Sequence, residues 1–204
     1  MMKLLKLILV GSLILGFSTI KAQKINIVEG DLDFLKGESV VNLEYDYSEM
    51  SVGKFEDEAE YIAKKKEEYN EKEPGRGDQW EERWIEDRST RFQPMFEELL
   101  NKYTGKKGVA FSQHENDAKY TLKLHTTFTE PGFNIYISRK NAEINAIVTF
   151  YETANPENIL CKIDMRRCPG KSMGMDDYDT GGRIKEAYAK CGKELGKLIA
   201  KKIK

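Results

Sequence analysis

Residues Tyr120–Thr129 have the sequence YTLKLHTTFT. Their side chains alternate, with Tyr120, Leu122 and Leu124 on one face and His125 on the other. A period of two residues is typical of a β-strand that buries one face. The segment therefore predicts a half-buried strand, and His125 is expected on its exposed side.

Further strands are predicted on both sides of this segment, because short β-rich runs are separated by turn residues. They are Val40–Tyr47, Val109–Phe111, Phe133–Ser138, Ala142–Glu152 and Ile159–Arg167. Pro131-Gly132 and Asn155–Asn158 carry the residue types that favour turns.

Helical periodicity appears at two places in the chain. Lys54–Glu73 predicts an amphipathic helix with a charged, solvated face, and a second helix starts near Trp80 and ends at about Tyr103. Pro74–Gly77 breaks the two apart, and Pro94 is expected to kink or bound the second. The C-terminal helix is predicted from about Arg183.

Strands and helices therefore segregate along the chain. This order predicts an α+β domain, with a mostly antiparallel sheet of about five strands and two to three helices packed on one face. We expect one domain over residues 39–204, with a charged helical insert at 54–103 and an irregular lead-in, or a short edge strand, at 23–38.

The first 22 residues have the pattern of a secretory signal. Lys3 and Lys6 precede the apolar run Leu7–Phe17, and a small residue, Ala22, stands before the expected cleavage site. The run is shorter than the ~20 residues that span a bilayer. We expect an exported bacterial protein, periplasmic or secreted, with no membrane span and no cysteine near the junction for a lipid anchor.

The charge balance excludes some partners. The net charge is −1, and loss of Lys3, Lys6 and Lys21 with the signal makes it −4. A weakly acidic chain has no electrostatic footprint for nucleic acid and no polybasic patch for anionic lipid, so both partners are disfavoured.

The cysteines are odd in number, which in an exported chain permits one disulfide and one free thiol. Cys161 and Cys191 fall on apolar faces, and Cys168 lies at a probable strand end. A Cys168–Cys191 disulfide is one possibility, and three buried thiols are the other.

Arg76-Gly77-Asp78 spells a tripeptide that some adhesion receptors bind, and it lies in a predicted exposed turn. The same residues also suit an ordinary turn between helices. Trp80 and Trp84 also have two interpretations. They form an aromatic platform for a sugar or peptide, or they are core residues four apart on one helix face.

Catalytic, cofactor and metal sites are not predicted. Asp176, Asp177 and Asp179 resemble a broken calcium loop, but acidic residues before a helix also cap it. His114 is the only histidine with acidic neighbours, and a solvated loop explains the group.

The stretches Gly108–Phe111 and Asp117–Leu124 (DAKYTLKL), followed by hairpins and a terminal helix, resemble small exported domains of Gram-negative envelopes. These include the curli-secretion lipoprotein, the lipoprotein activators of penicillin-binding proteins and the N-terminal domain of the Tol–Pal β-propeller protein. The resemblance, by element order over about 39–203, implies a non-enzymatic protein that contacts other envelope components. The chain departs from several of them because it lacks a lipid-attachment cysteine.

Three functions therefore remain open. The first is a non-catalytic binding or assembly module for another envelope protein or a cell-wall component. The second is a hydrolase that uses carboxylates or His114 and His125, and the third is a host-facing adhesive factor that uses Arg76–Asp78.

Overall fold

The computed structural model describes residues 23–171 and 178–203. The strands are β1 (Lys24–Gly30), β2 (Val40–Asp46), β3 (Ser51–Val52), β4 (Ala110–Ser112), β5 (Tyr120–Glu130), β6 (Phe133–Asn134), β7 (Arg139–Lys140), β8 (Ala142–Glu152) and β9 (Asn155–Gly170). The α-helices are α1 (Glu58–Asn70), α2 (Arg76–Asp87), α3 (Gln93–Thr104) and α4 (Thr180–Lys202). The α+β prediction is confirmed.

The main sheet is larger than predicted and is mixed. It has seven strands in the order β1-β9-β8-β5-β2-β4, with β3 paired to the far end of β5. β2 runs parallel to both β4 and β5, and β3 is also parallel to β5. The prediction of about five mostly antiparallel strands was therefore wrong, although the half formed by β1, β5, β8 and β9 is antiparallel.

The charged helices explain why parallel pairing is possible. Two parallel neighbours cannot be joined by a tight turn and need a long crossover. In this chain α1, α2 and α3 lie between β2 and its parallel neighbour β4. The segment 54–103, predicted as an insert, is thus the connection that the sheet requires.

A π-helical turn at Arg88–Phe92 joins α2 to α3. The side chains of Ser89 and Thr90 donate to the carbonyl oxygen of Glu86 at 3.2 and 2.9 Å. A π-helical turn holds an extra residue and produces a local bulge. This bulge separates α2 from α3. The boundary predicted at Pro94 is one residue from the start of α3 at Gln93, and Pro94 lies in the first turn of that helix.

The core lies between the apolar face of the sheet and the helices α3 and α4. In the register of the strands, Leu124 pairs with Val148, and Val148 pairs with Ile163. All three side chains are fully buried. Tyr188 of α4 lies in the same core and stacks on Phe92 with ring centroids 5.1 Å apart.

Two glycines let α4 approach α3 closely. A Cβ atom at Gly196 would lie 2.7 Å from the carbonyl oxygen of Leu100, and one at Gly192 would collide with the carbonyl of Phe96. Side chains at these positions would push the two helices apart.

Some predicted boundaries differ from the structure. The lead-in at 23–38 contains β1, which pairs with β9 at one edge of the sheet. The turn predicted at Asn155–Asn158 lies earlier, because β9 already begins at Asn155 and Glu152 pairs with it. The predicted signal at 1–22 lies outside the described residues. Within 23–171 and 178–203, no helix is long and apolar enough to cross a membrane.

Candidate functional site

A cleft of about 610 Å³ lies between α1, α2, the loop after β3 and the β6–β7 hairpin. We call it the aromatic cleft, because six aromatic side chains line it: Phe55, Tyr61, Tyr69, Trp80, Phe133 and Tyr178.

The α1 wall follows from helical spacing. Tyr61, Lys65 and Tyr69 are four residues apart, so they lie on one face of α1. Tyr61 meets Trp80 of α2 edge to face at 5.7 Å, and Tyr69 stacks on Trp80 at 5.9 Å. Burial raises the pKa of the Tyr61 hydroxyl above its usual value, so this hydroxyl stays neutral.

Two polar contacts fix α1 against α2. Glu58, in the first turn of α1, accepts a hydrogen bond from Nε1 of Trp84 at 2.6 Å and forms an ion pair with Arg88. At the other end, the backbone N–H of Gly77 donates to Oδ1 of Asn70 at 2.7 Å. Contacts at both ends therefore fix α1 against α2, and with them the positions of Tyr61, Tyr69 and Trp80 in the cleft.

The opposite wall depends on Arg183, which is 4% exposed. Its guanidinium donates to the carbonyl oxygens of Pro131 and Gly132, each at 3.2 Å, and to Oγ1 of Thr180 at 3.0 Å. Gly132 has φ +64, and a Cβ atom there would lie 2.7 Å from the backbone nitrogen of Ala142. Arg183 thus ties the base of the hairpin to the start of α4.

The rim of the cleft is charged. Four lysines, Lys54, Lys64, Lys65 and Lys140, face two carboxylates, Glu68 and Glu130. Lys65 pairs with Glu68 at 2.9 Å, and this hydrogen bond lowers the pKa of the Glu68 carboxyl. Lys140 pairs with Glu130. Lys64 pairs with Glu67, which lies just outside the cleft, at 3.1 Å. The rim lysines therefore outnumber the carboxylates that pair with them by one.

A second cleft, of about 570 Å³, adjoins the first and shares Tyr69, Trp80 and Tyr178 with it. Burial raises the pKa of its Asp87 carboxyl, against the opposing effect of Arg91. Arg91 bridges Asp87, at 3.0 Å, and Asp179.

Asp179 caps helix α4, because its carboxylate accepts from the backbone N–H groups of Gly181 and Gly182 at 3.3 and 3.1 Å. Of the two roles predicted for the acidic residues here, capping describes Asp179. Asp176 and Asp177 lie outside the described residues. In the described part of the chain, no three His, Cys, Asp or Glu side chains are grouped so that they could hold a metal ion.

Neither histidine lines the two clefts. His114 is exposed in a turn with φ +67. His125 is half-buried, and its Nε2 lies 2.8 Å from the carbonyl oxygen of Ser48. The histidines proposed for a hydrolase are thus not brought together with a concave surface.

Arg76, Gly77 and Asp78 form the first turn of α2 and not the exposed turn that the sequence predicted. Gly77 is buried, the Arg76 guanidinium lies 5.3 Å from the ring of Tyr69, and Asp78 pairs with Lys66 at 3.0 Å. An adhesive role of the tripeptide stays a prediction, but its three residues are helical.

All three cysteines are buried free thiols. The Cys168 and Cys191 thiols are hydrogen-bonded neighbours, and this bond, with burial, raises the pKa of Cys191 well above its usual value. Cys191 also donates to Sδ of Met165 at 3.6 Å. The pairing of Cys168 with Cys191 in a disulfide stays a prediction, and the two residues are adjacent.

The two tryptophans differ in burial. Trp84 is 6% exposed, belongs to the core and borders the second cleft, whereas Trp80 is half-buried and lines both clefts. A role of either ring in ligand binding stays a prediction. Sequence reasoning missed Arg183, Tyr61 and Tyr69 as parts of a site. It also missed the hairpin tip Ile135–Ile137, although three consecutive large apolar residues are a detectable signal.

Comparison with known proteins assigns no family. No family model matches the chain, and no curated protein matches it. Among the solved structures that resemble it, the PelC dodecamer from Paraburkholderia phytofirmans has TM-score 0.40, with 12% identity over 85% of this chain and 97% of that chain. A single-substitution variant of the same PelC dodecamer has TM-score 0.35, with 10% identity over 82% and 97% of the two chains. A likeness at this level assigns no function to the chain.

Proposed function

We propose that the chain is an exported envelope protein that acts as a non-catalytic binding module, and that the aromatic cleft receives a segment of another envelope protein. The observation that carries the proposal is the cleft itself, in which partly accessible aromatic side chains, among them the half-buried Tyr69 and Trp80, lie inside a charged rim. Protein interfaces have this anatomy, with aromatic anchors at the centre and polar residues around them.

The charge of the rim specifies the partner further. Because the four rim lysines outnumber the three carboxylates that pair with them, a segment with acidic residues beside its apolar side chains fits better than a basic one. The apolar side chains would contact Trp80 and Tyr178, and the acidic residues would approach Lys54. Such charge complementarity favours one class of partner over others.

Selection from a displayed library of random peptides tests this ligand class. We expect enrichment of peptides with an aromatic or large aliphatic residue next to Asp or Glu. Tyr178→Ser and Lys54→Glu should each weaken binding of the selected peptides by about tenfold, the scale of one good interface side chain. Lys119→Glu is the matched control, because Lys119 is exposed and lies outside the aromatic cleft.

Absence of enrichment, or equal binding by all variants, would contradict the ligand assignment. Mass spectrometry of the selected peptides after long incubation addresses the hydrolase alternative, since intact peptides support a non-catalytic role and cleaved ones oppose it. In a parallel experiment the protein is incubated with a cell-wall extract. If it binds glycans from the extract but no peptides from the library, the partner is a cell-wall component and not a protein.

Export is tested separately. The intact mass of the protein from a Gram-negative host should correspond to a chain that begins at Gln23, because the signal pattern places cleavage after Ala22. A chain that keeps residues 1–22 in the cytoplasm would contradict the proposed location without affecting the peptide experiment.

A further inference from the structure

The β6–β7 hairpin exposes an apolar tip. Ile135 is 61% exposed, Tyr136 90% and Ile137 88%, and Phe133 beside them is 40% exposed. The hairpin forms a separate two-stranded sheet, and the three tip residues connect its strands. Large apolar side chains that are adjacent and this exposed mark a contact surface.

From this tip we propose that the hairpin is a membrane-surface contact, in which Ile135, Tyr136 and Ile137 enter the interfacial region of an anionic bilayer. The proposal goes beyond the aromatic cleft, because the tip residues do not line that cleft. It needs no helix that spans the membrane, since side chains at a loop tip can enter the interface from outside.

The backbone of the tip suits an apolar medium. The N–H of Ile135 donates to the carbonyl oxygen of Ser138 at 3.0 Å, and that of Ile137 donates to the carbonyl oxygen of Ile135 at 2.8 Å. The N–H of Tyr136 donates to Oδ1 of Asn134 at 3.0 Å. Unpaired backbone donors are costly in a bilayer, and at this tip each of the three donors is already paired.

The charge next to the tip fits anionic headgroups. Residues 131–142 include Arg139 and Lys140 and no Asp or Glu. Both basic side chains are exposed, although Glu130 and Glu143 flank this stretch and Lys140 pairs with Glu130 at the base of the hairpin. Arg139, which directly follows Ser138, is therefore the basic residue next to the headgroups of a bilayer that receives the tip. The whole chain is weakly acidic, but attraction to a charged surface falls off within a Debye length and depends on the local charge.

A second copy of the chain fits the tip less well. A stable interface buries roughly 800 Å² on each partner, whereas the projecting tip offers three residues. A tyrosine between two isoleucines has the composition of an interfacial anchor, because its ring is amphipathic and prefers the headgroup level.

Co-sedimentation with vesicles tests the contact. The full chain should bind vesicles of phosphatidylglycerol and phosphatidylethanolamine, and bind phosphatidylcholine vesicles more weakly. The double variant Ile135→Ser, Ile137→Ser should lose at least about tenfold in binding, since each removes a large apolar side chain from the interface. Val28→Ser is the matched control, because Val28 is also 61% exposed but lies on β1.

Arg139→Gln should weaken binding to the anionic vesicles and reduce its dependence on salt, with no effect on phosphatidylcholine vesicles. Circular dichroism of each variant verifies that it is folded.

A second readout places the tip directly. Tyr136→Cys can be labelled with an environment-sensitive dye without interference from the native cysteines, which are all buried. A blue shift of the dye on addition of anionic vesicles is expected. Three results would overturn the proposal: no vesicle binding, equal binding by the double serine variant, or a dimer in sedimentation velocity that the serine variant loses while vesicles have no effect.

Discussion

The guanidinium of Arg183 donates to the carbonyl oxygen of Pro131 at 3.2 Å, and this contact fixes the base of the exposed hairpin to α4. A buried charged donor contributes more than a neutral one, and its loss leaves acceptors unpaired. The two proposed surfaces, the aromatic cleft and the hairpin, therefore both depend on the Arg183 side chain, which attaches them to the start of α4.

Arg183→Lys should lower the free energy of unfolding by about 2 to 4 kcal/mol, because an ammonium group cannot reach both carbonyls and the Thr180 hydroxyl together. Urea denaturation measures the change, and faster amide exchange at Gly132 would locate it. Arg166→Lys, at an exposed pair with Asp164, should change stability by less than about 0.5 kcal/mol. Equal effects at the two positions would contradict the role given to Arg183.

Gly192→Ala tests the close packing of α3 on α4. Alanine is the better helix former by about 1 kcal/mol, but its Cβ would collide with the carbonyl of Phe96. Overpacking of this kind costs roughly 1 to 3 kcal/mol, so we expect a net loss of stability in thermal unfolding. Gly105→Ala is the control, since nothing lies within 4 Å of its added Cβ, and it should be neutral or slightly stabilising. If Gly192→Ala raised the stability, α3 and α4 could move apart at that position without a loss of stability, which would contradict the prediction.

Oxidation of the exported protein should join Cys168 to Cys191 and leave Cys161 as the free thiol. A disulfide that closes the loop between Cys168 and Cys191 should stabilise the folded protein by roughly 3 kcal/mol in the chain-entropy account. Peptide mapping by mass spectrometry under non-reducing conditions identifies the pair, and Cys161→Ala should leave the pairing unchanged. Recovery of three free thiols from the oxidised protein would favour the alternative of three buried cysteines.

Stability should fall at alkaline pH because of Cys161. Burial, assisted by Asp31 and Glu29, raises the pKa of this thiol from 9.0 to about 11. The folded state therefore holds its proton where the unfolded state has lost it, so the stabilisation is complete below about pH 9 and is lost as the pH rises through about 11. Denaturation under reducing conditions from about pH 8 to 11 should show a smaller decline for Cys161→Ala than for the natural chain. Parallel curves would exclude the thiol as a cause.

Much of the fold could be predicted because several elements carry their own pattern. Tyr120–Thr129 alternates strongly and is a strand in which Tyr120, Leu122 and Leu124 are buried as predicted. Ala142–Glu152, predicted only as a β-rich run, is also a strand. The C-terminal helix predicted from about Arg183 is α4, and apolar residues that recur along it at helical spacing, from Ile184 to Ile199, are buried. Local periodicity determines such elements, so no knowledge of their neighbours is needed.

The mixed sheet could not be predicted in the same way. Leu43 faces Leu122 in a parallel pair, and an alternating strand has the same pattern whether its neighbour is parallel or antiparallel. The aromatic cleft was inaccessible for a related reason. Tyr61, Trp80, Phe133 and Arg183 come from four separate segments, and only the tertiary structure brings them to one place.

The position of β1 has a consequence for the order in which the chain can fold. Lys24 pairs with Arg166, and Gly30 pairs with Cys161. The first strand, β1, therefore cannot pair until β9 has been synthesised, late in translation. Contacts between such distant parts of a chain form slowly, because a large loop must close first. If the chain is exported and cleaved after Ala22, as proposed, cleavage would take place next to a strand that pairs late.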